Sequence, residues 1–454
     1  MDKNELIKVL SGSIASTSNI DKSLFPKMGV KRGLRNEDHS GVLAGLTRVG
    51  DVKGYEKNDD GTLEPSPGKL FYRGIDVEDL VRGIQSEDRL GFEETSYLLL
   101  SGKLPNKDEL EAYTKLIAET MPLNHTATMN ILNLQGKNIM NILARSVLEL
   151  YVYDEDPDDI SPANLIRQSI NLIAKFPSII ALAYQVLRHD QLGRSLHVRH
   201  PFEDKSVAEN FLFMMKGKDN YTDLDVKILD LALILHAEHG GGNNSTFSVR
   251  VTSSTETDTY SAIAAGIGSL KGPLHGGANA KVNAMLEDIK QNVKDWSDVS
   301  QVDDYLMKIL RKETFDKTGL IYGIGHAVYT ISDPRAVLLK EMARELAKEK
   351  GREDEFNLME LIEERGVELF LDFKKSSGTA KKRTCINVDF YSGFVYDSLG
   401  LPEEVFSPLF AMARIVGWTA HRIEELNFTS KRLIRPAYKS VRELQDFVPM
   451  KDRK

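Results

Sequence analysis

Two of the ten histidines, His275 and His326, lie inside glycine-rich turns at 272–279 and 323–328. Glycine lets a backbone approach a ligand closely, so these turns favour exposed imidazoles that point into a cavity. His275 also precedes an amphipathic helix, whose positive end should lower its pKa and keep it a neutral hydrogen-bond donor. The structural alternatives are a capping residue for His275 and an ordinary loop residue for His326.

Asp389 follows these turns and lies between the apolar residues Val388 and Phe390. Apolar surroundings disfavour a charged carboxylate, so they should raise the pKa of Asp389 and make it a stronger base. The alternative is an N-cap for a helix that begins near Ser392. Together with the two histidines, Asp389 indicates a site that moves a proton.

Three arginines are candidates for binding an anion at this site. Arg414 is the only charged residue within 405–420, a stretch that is apolar on nearly every face. A buried guanidinium needs an anionic partner, either an internal carboxylate or a carboxylate of a bound ligand. Arg335 follows the helix-start signal at 333–334, and Arg435 precedes a proline; a surface position is the alternative for each.

A metal site is the competing interpretation of the histidines. His236 and His239 are three residues apart, as two metal ligands can be, but neither an HExxH pattern nor a nearby cysteine accompanies them. We therefore predict no metal. A metal-binding or ligand-sensing helical protein that uses these residues and His275 is the alternative from another class. The Gly-x-Gly at 266–268 follows no strand, and there is no P-loop, which argues against nucleotide-binding folds.

The composition is that of an ordinary soluble chain. Of its 454 residues, 41% are hydrophobic and 28% are charged, with a net charge of −8. This acidic balance makes nucleic acid a poor default partner. The single Cys385 excludes an intrachain disulfide framework and fits a reducing cytosol. We find no secretory or transit signal and no long apolar run, so we expect a cytoplasmic protein that does not bind a membrane.

Helical patterns dominate and strand patterns are scarce, so the predicted class is mainly α. Short strands are expected at 47–52 and 69–75, around a turn-rich insert at 58–68. Helices are expected at 93–100, at 108–120, at 130–153 with a break near Gly136, and after the cap-and-proline start at Ser161 and Pro162. Residues 188–225 are polar and suggest a surface excursion before a helix at 225–236.

The composition changes near residue 278, where amphipathic helices rich in Lys and Glu begin. In the first of these helices, one face collects Ala278, Val282, Met285, Leu286 and Ile289. We predict that residues 278–389 form a small, mobile domain inserted into a large domain. The large domain would comprise residues 1–277 and 390–454, with residues 1–40 as an N-terminal arm.

These motifs, in this order, resemble the citrate synthase family over roughly residues 40–440. The matching segments are Leu-Phe-Tyr-Arg-Gly-Ile at 70–75, His-Ala-Glu-His-Gly-Gly-Gly-Asn at 236–243, Gly-Pro-Leu-His-Gly-Gly-Ala-Asn at 272–279, Gly-Ile-Gly-His-Ala-Val at 323–328, Asp-Pro-Arg at 333–335, Asn-Val-Asp at 387–389 and Arg-Pro at 435–436. Each segment alone is modest, but the combination is specific. The resemblance implies a mostly helical, two-domain fold that works as a homodimer, with the active site in the cleft between the domains.

The resemblance also implies catalytic roles. Asp389 would take a methyl proton from acetyl-CoA. His275 would donate a hydrogen bond to the thioester oxygen as the enolate develops, and His326 would polarise the ketone of oxaloacetate and protonate the forming alkoxide. No tightly bound cofactor is implied, because acetyl-CoA is a co-substrate.

The resemblance assigns substrate contacts as well. His239, Arg335 and Arg414 would hold oxaloacetate, and Arg435 would reach into the site of the partner subunit. Many members carry a basic residue for the CoA phosphates between the positions of His326 and Arg335, but this chain has none there. The candidate substitutes are Lys381, Lys382 and Arg383, for which a solvated charge run is the alternative.

The expected reaction condenses acetyl-CoA with oxaloacetate and hydrolyses citryl-CoA to citrate and CoA. The nearest alternative is 2-methylcitrate synthase, which uses propionyl-CoA with the same catalytic residues. One methylene in an acyl pocket is worth only about 1–3 kcal/mol, so the sequence leaves both open. A catalytically inactive scaffold is disfavoured, because the base and both active-site histidines are present.

Overall fold

The computed structural model describes residues 2–36, 40–59, 62–326, 328–376 and 383–453, and these form a mainly helical fold. The helices are α1 Lys3–Thr17, α2 Leu24–Lys27, α3 Val77–Ser86, α4 Phe92–Ser101, α5 Lys107–Thr120, α6 His125–Leu132, α7 Ile139–Leu150, α8 Pro162–Leu192, α9 Val207–Lys216, α10 Asp223–His236, α11 Asn244–Ser253, α12 Thr259–Lys271, α13 Ala278–Asn292, α14 Val299–Leu310, α15 Pro334–Glu349, α16 Glu353–Ser376, α17 Asp389–Ser398 and α18 Phe406–Leu426. The predicted class is confirmed.

The described residues contain one small antiparallel sheet near the N-terminus. Its strands lie in the order β1 Gly50–Lys57, β2 Leu63–Tyr72 and β3 Ile75–Asp76. β2 begins inside the segment predicted as a turn-rich insert, so the two main strands are longer than the sequence suggested. The buried Tyr72 hydroxyl donates a hydrogen bond to the Ile234 carbonyl at 2.9 Å, which fastens the sheet to the end of α10.

Two helix starts use the capping chemistry that the sequence indicates. Ser161 caps α8 by accepting a backbone amide, and Pro162 occupies the first turn. Asp333 caps α15 by accepting the Arg335 amide at 3.0 Å. Proline fits a first turn because the missing N–H would have no helical partner there. The second cap also holds Asp333 and Arg335 together at one end of α15.

The long helix α8 belongs to the core. Its length and apolarity would allow it to cross a membrane, a property that the sequence analysis did not single out. However, 78% of its most apolar 18-residue window is buried within the protein, where α8 packs against α7, α9 and α18. This burial is typical of a core helix in a soluble fold.

The segment 188–225 is not the surface excursion that was predicted. α8 continues to Leu192, and α9 buries Phe211, Leu212 and Met215 in contact with α8 and α10. Because the residues on both sides of α9 are polar, the sequence pattern did not indicate this short and strongly apolar helix. Residues 193–206 lie outside any helix or strand.

Helices α13 to α17 pack on one another. Both α13 and α15 contact α17, and α14 contacts α16. The face of α13 expected to be apolar is buried at Val282, Met285, Leu286 and Ile289. α15 and α17 also contact α10, which joins this group to the helices that precede it. The division into domains at residues 277/278 and 389/390 stays a prediction.

Both ends of the described chain expose apolar side chains. Leu6, Leu10 and Ile14 of α1 are each about half exposed. The segment 427–453 contains no α-helix, and Leu444 within it is fully exposed. These side chains remain in contact with water, so they gain little hydrophobic stabilisation within a single chain.

Candidate active site

The end of α10 and one face of α18 form the first side of the site. The carbonyl oxygen of His236, the last residue of α10, accepts a hydrogen bond from Arg414 Nε at 2.7 Å. His239 follows three residues later, outside the helix. Arg414 lies in the middle of α18 and is fully buried.

His239 and Arg414 keep side-chain nitrogens without a hydrogen-bond partner among the described residues. These atoms are Nε2 of His239 and both Nη1 and Nη2 of Arg414. Burial lowers the pKa of Arg414 to about 10, although the carboxylate of Glu238 opposes the change. Burial, with Arg335 and other cationic groups nearby, also holds the pKa of His239 well below its ordinary value. Unpaired buried donors are costly, so this side of the site fits a bound anion.

Arg335 contrasts with Arg414, because it already has an anionic partner. Its Nε and Nη2 donate to the two carboxylate oxygens of Asp333 at 3.0 and 2.7 Å, and both residues are buried. Burial opposes both charges, yet the ion pair holds the pKa of Arg335 above its ordinary value and that of Asp333 below it. Asp333 therefore already neutralises much of the positive charge of Arg335, which leaves less of that charge for the predicted contact with a ligand anion.

A short antiparallel bridge ties the His326 turn to the segment before Asp389. Its hydrogen bonds run from the Gly325 amide to the Cys385 carbonyl at 2.8 Å and from the Asn387 amide to the Gly323 carbonyl at 2.9 Å. Gly323 has φ +83°, and a Cβ there would lie 2.7 Å from a phenylalanine ring atom. Only glycine therefore fits this turn without strain.

The His326 ring has a defined proton position. Its Nδ1 accepts the amides of Val328 and Tyr329 at 3.0 and 2.9 Å, so Nε2 carries the proton of the neutral ring. Nε2 lies 4.0 Å from an Asp333 oxygen, too far for a hydrogen bond. The side chain is only 11% exposed, so the expectation of an exposed ring was wrong; Tyr329 stacks on it at 4.4 Å. Burial lowers the pKa of His326 to about 4.

Asp389 is the first residue of α17, and its side chain does not cap a helix near Ser392. The capping alternative is therefore wrong. Burial raises the pKa of Asp389 to about 6, while Arg335 and Arg414 pull it the other way. This is the predicted direction of change. A carboxyl with this pKa is ionised at pH 7 and is more basic than an exposed one.

His275 is held by Ser245 at the start of α11. Its Nε2 accepts the Ser245 amide at 3.3 Å and lies 3.0 Å from the Ser245 hydroxyl oxygen, so Nδ1 carries the proton. Gly277 precedes α13 as its cap, which excludes the capping role for His275. Burial, together with Arg414, lowers the pKa of His275 to about 4. The predicted direction is right, but burial rather than the helix end is the main cause.

Six of the predicted residues meet in one buried region. The rings of His239 and His326 are 5.4 Å apart in an edge-to-face contact. Arg335 and Arg414 both act electrostatically on His239 and Asp389, and Arg414 also acts on His275. The set is His239, His275, His326, Arg335, Asp389 and Arg414.

His236 does not join a metal site in the described part of the chain. Its Nδ1 lies 2.7 Å from the Ala232 carbonyl within α10, and burial lowers its pKa to about 3. No group of three or more His, Cys, Asp or Glu side chains among the described residues is arranged to hold a metal ion. His236 is thus held through Nδ1 within α10, while its Nε2, like that of His239, has no hydrogen-bond partner among the described residues.

The remaining predicted residues lie elsewhere. Arg435 is exposed in the C-terminal segment, next to Ile434, whose amide donates to the Ser254 hydroxyl. Lys381 and Lys382 lie outside the described residues, and Arg383 is exposed. The contacts predicted for these four residues stay predictions.

Sequence reasoning missed two residues that set the chemistry of the site. Asp333 was interpreted only as a helix cap, although the same Asp-Pro-Arg motif places its carboxylate against Arg335. Ser245 carried no local signal, because its contact with His275 joins residues thirty positions apart.

Comparison with known proteins identifies the family of this chain. Residues 38–437 match the family model "Citrate synthase, C-terminal domain". Citrate synthase 2 of Bacillus subtilis is 36% identical, over 85% of this chain and 93% of that protein. The 2-methylcitrate synthase 1 of Corynebacterium glutamicum is 33% identical, over 93% of this chain and 98% of its own length.

A solved structure extends the likeness to the fold. The citrate synthase of Thermoplasma acidophilum, in a ternary complex with carboxymethyl coenzyme A and oxaloacetate, is 25% identical with a TM-score of 0.73, and the match covers 93% of this chain and 99% of that one. The family match spans most of the chain and contains all six gathered residues. The chain therefore belongs to the citrate synthase family, and it is an enzyme that transfers an acyl group.

Proposed function

We propose that this protein is a citrate synthase, which condenses acetyl-CoA with oxaloacetate and hydrolyses citryl-CoA to citrate and CoA. The observation that carries the proposal is the set of buried, unpartnered nitrogens on His239 and Arg414. A dicarboxylate that also carries a ketone supplies acceptors for all of them. The charge of a carboxylate would also balance the buried guanidinium.

Oxaloacetate binding would use the two sides of the site differently. Arg414 would bind one carboxylate through Nη1 and Nη2, because its Nε is already bonded to the His236 carbonyl. His239 Nε2 would add a second contact. The Nε2 proton of His326 has no acceptor among the described residues and would polarise the ketone. Arg335 would contribute through the part of its guanidinium that Asp333 leaves open.

Asp389 would act as the base that removes a methyl proton of acetyl-CoA. A thioester α-proton is a very weak acid, so the carboxylate needs help from a donor that stabilises the enolate. His275 can be that donor, because Ser245 fixes its proton on Nδ1 and burial keeps the ring neutral. A neutral donor polarises the thioester carbonyl without adding a charge to the buried site.

Carbon–carbon bond formation would follow. The enolate carbon attacks the ketone carbon of oxaloacetate, and the ketone oxygen takes a proton from His326 Nε2 to become the hydroxyl of citryl-CoA. The methyl proton that Asp389 removed balances the proton that His326 gives up, so both groups would regain their starting protonation states before the next turnover. Water then adds to the thioester carbonyl, the C–S bond breaks, and CoA leaves as the thiol. Closure of the proposed small domain, 278–389, would keep water out until condensation is complete.

We propose a homodimer in which Arg435 completes the site of the partner subunit. The exposed C-terminal segment that carries Arg435 supports this, because its apolar side chains are unburied in one chain. Arg383 and its two lysine neighbours are proposed contacts for the CoA phosphates. The proposed location is cytoplasmic, which the buried free thiol of Cys385 supports.

The same site would serve a 2-methylcitrate synthase, and one similar relative carries that name. A paired assay separates the two candidates: CoA release is measured with acetyl-CoA and with propionyl-CoA, each with and without oxaloacetate. We expect oxaloacetate-dependent release and a higher kcat/KM for acetyl-CoA. A clear preference for propionyl-CoA would replace the proposal with 2-methylcitrate synthesis. No release with either thioester, together with stoichiometric bound zinc, would favour the metal-binding alternative.

A further inference from the structure

One face of α18 holds three consecutive residues of the segment that presents His239. The Arg414 Nε donates to the His236 carbonyl at 2.7 Å, and the Gly417 amide donates to the Ala237 carbonyl at 3.1 Å. His421 continues the series at Glu238, with Nε2 2.9 Å from a carboxylate oxygen. Residues 236–238 are therefore each held by α18, although two of them lie beyond the end of α10.

Glu238 is the centre of this arrangement. It is fully buried, and its Oε1 accepts both the His421 ring and the backbone amide of Gly240. Two glycines leave the room it needs. A Cβ at Gly50 would lie 2.8 Å from Glu238 Oε1, and one at Gly417 would lie 2.3 Å from Oε2. Burial opposes its charge, but His421 holds the pKa of Glu238 below its ordinary value.

The proton of His421 is directed by a further residue. Arg250 Nη1 donates to His421 Nδ1 at 2.8 Å, so the neutral ring carries its proton on Nε2 and donates it to Glu238. Arg250 is in turn paired with Glu424 and Glu425 at 2.7 and 2.8 Å. A chain of oriented hydrogen bonds thus runs from α11 through α18 to the turn after His239.

No hydrogen bond of Glu238 or His421 reaches the unpartnered nitrogens of His239 and Arg414 among the described residues. Apart from the electrostatic effect of Glu238 on Arg414, their influence on a bound ligand therefore passes through the backbone. Glu238 and Gly240 flank His239 directly, and Gly240 has φ +82°, a turn that glycine favours. Contacts at both neighbours restrain the backbone from which the His239 ring projects towards His326 and Tyr329.

We propose that Glu238 and His421 are positioning residues of the oxaloacetate site, which lock the turn at 238–240 so that His239 faces the substrate. This inference rests on the proposed function. It adds a specific requirement: the reach of the Glu238 carboxylate matters more than its charge, because Oε1 must meet the Gly240 amide and the His421 ring together.

Two substitutions of Glu238 separate reach from charge. Glu238→Gln keeps the length and an Oε1 acceptor but removes the charge, whereas Glu238→Asp keeps the charge and shortens the reach. We expect Glu238→Asp to raise the KM for oxaloacetate by about tenfold, equivalent to about 1.4 kcal/mol, and Glu238→Gln to raise it less. The KM for the acyl-CoA should stay within about twofold for both. The reverse order of the two variants would show that charge is the requirement and would overturn the positioning role.

Substitutions on α18 provide the second test. His421→Phe removes the donor and should raise the KM for oxaloacetate by about tenfold, and His421→Gln should restore most of the loss. Arg422→Met is the matched control. Arg422 is the next residue and is equally buried, but it bonds to Thr259, Ser253 and Thr257 instead of Glu238. It should lower the melting temperature without changing the KM for oxaloacetate.

The outcomes distinguish this inference from the proposed function. A wild-type enzyme that fails to condense oxaloacetate with either acyl-CoA contradicts the function itself. An active wild type in which His421→Phe and Arg422→Met change both KM values equally contradicts the positioning role alone. Should His421→Phe fail to fold, the two Glu238 variants decide, with oxaloacetate binding measured directly by calorimetry in the absence of acyl-CoA.

Discussion

The two sides of the site hold their charges in opposite ways. On the α18 side, Arg414 is buried with two unpartnered nitrogens, and burial lowers its pKa to about 10. On the α15 side, Arg335 is bonded to Asp333 through two nitrogens, and that pair holds its pKa above the ordinary value. Both are buried guanidiniums that act electrostatically on His239, yet only Arg335 forms an ion pair with a carboxylate among the described residues.

The difference indicates a division of labour. A buried cation without a partner is paired only when an anion binds, so the α18 side should supply most of the affinity for the substrate carboxylate. A cation that is already paired contributes a fixed field instead. Burial is the main cause of the pKa changes of His326 and Asp389, and Arg335 lowers both pKa values as a smaller contribution. If this division is correct, substitution of Arg414 should mainly change substrate binding, and substitution of Asp389 should mainly change proton transfer.

The largest effect is expected at the base. Asp389→Asn should lower kcat by about 10³- to 10⁴-fold, because general-base catalysis is typically worth up to about 10⁴. Oxaloacetate binding, measured by calorimetry, should stay within about threefold, since Asp389 is not one of the anion-binding groups. Asp397→Asn on the same helix serves as the control, because Asp397 is about half exposed and its ion pair among the described residues is with Arg352. Activity near the wild-type level in Asp389→Asn would contradict the assignment of the base.

The next effect should fall on binding alone. Arg414→Met should weaken oxaloacetate binding by about 100-fold or more, because loss of one partner of a buried charge pair costs about 2–5 kcal/mol. Arg422→Met removes an equally buried arginine of the same helix whose nitrogens are bonded within the chain. That control should leave binding unchanged. Equal losses in both variants would mean that Arg414 has only a structural role.

A stability effect should accompany the raised pKa of Asp389. Protonation of a carboxyl whose folded pKa is raised stabilises the folded state, and this stability is lost as pH rises from about 3.8 through about 6. The pKa difference corresponds to about 3 kcal/mol, so Asp389→Asn should be more stable than the wild type at pH 8, and about half as much so at pH 5. Denaturant unfolding at the two pH values measures this. A gain that is larger at pH 5 would contradict the burial of this carboxyl.

The smallest effect compares the two arginines directly. Arg335→Lys retains an ion pair with Asp333 and should raise the KM for oxaloacetate by about tenfold or less. The lysine in Arg414→Lys cannot both contact the His236 carbonyl and donate two hydrogen bonds to a carboxylate. The KM of this variant for oxaloacetate should therefore rise more than that of Arg335→Lys. The comparison uses one assay with two variants of identical chemistry. A larger KM change in Arg335→Lys would reverse the division between the two sides.

Much of the site could be predicted from local sequence. The glycine turns identified His275 and His326, and the apolar setting of Arg414 identified a buried cation in need of an anion. These signals work because they depend on neighbours in the chain. Likewise, the capping pattern at Ser161 and Pro162 located the start of α8.

What could not be predicted depends on contacts between distant segments. Ser245 fixes the proton of His275 across thirty residues, and His421 meets Glu238 across 183 positions. Neither pairing leaves a spacing pattern in the chain. The exposure of His326 was misjudged for a different, local reason: Tyr329, three residues later, stacks on the ring, and the glycine pattern of the turn does not indicate this contact. The sequence also failed to indicate α9, because its short apolar stretch follows a longer polar segment.

The spacing of 414, 417 and 421 along α18 has a consequence for how this chain tolerates insertions. Seven residues are almost two full helical turns, so Arg414 and His421 have nearly the same angular phase, and Gly417, about 60° away, lies on the same face towards residues 236–238. One extra residue between Arg414 and His421 would rotate one of them by about 100° away from its partner. Insertion of seven residues would preserve that phase but lengthen the helix by about 10 Å. The residue spacing along α18 therefore determines whether Arg414, Gly417 and His421 can all contact residues 236–238. Insertions and deletions should be tolerated only in the loops outside this helix.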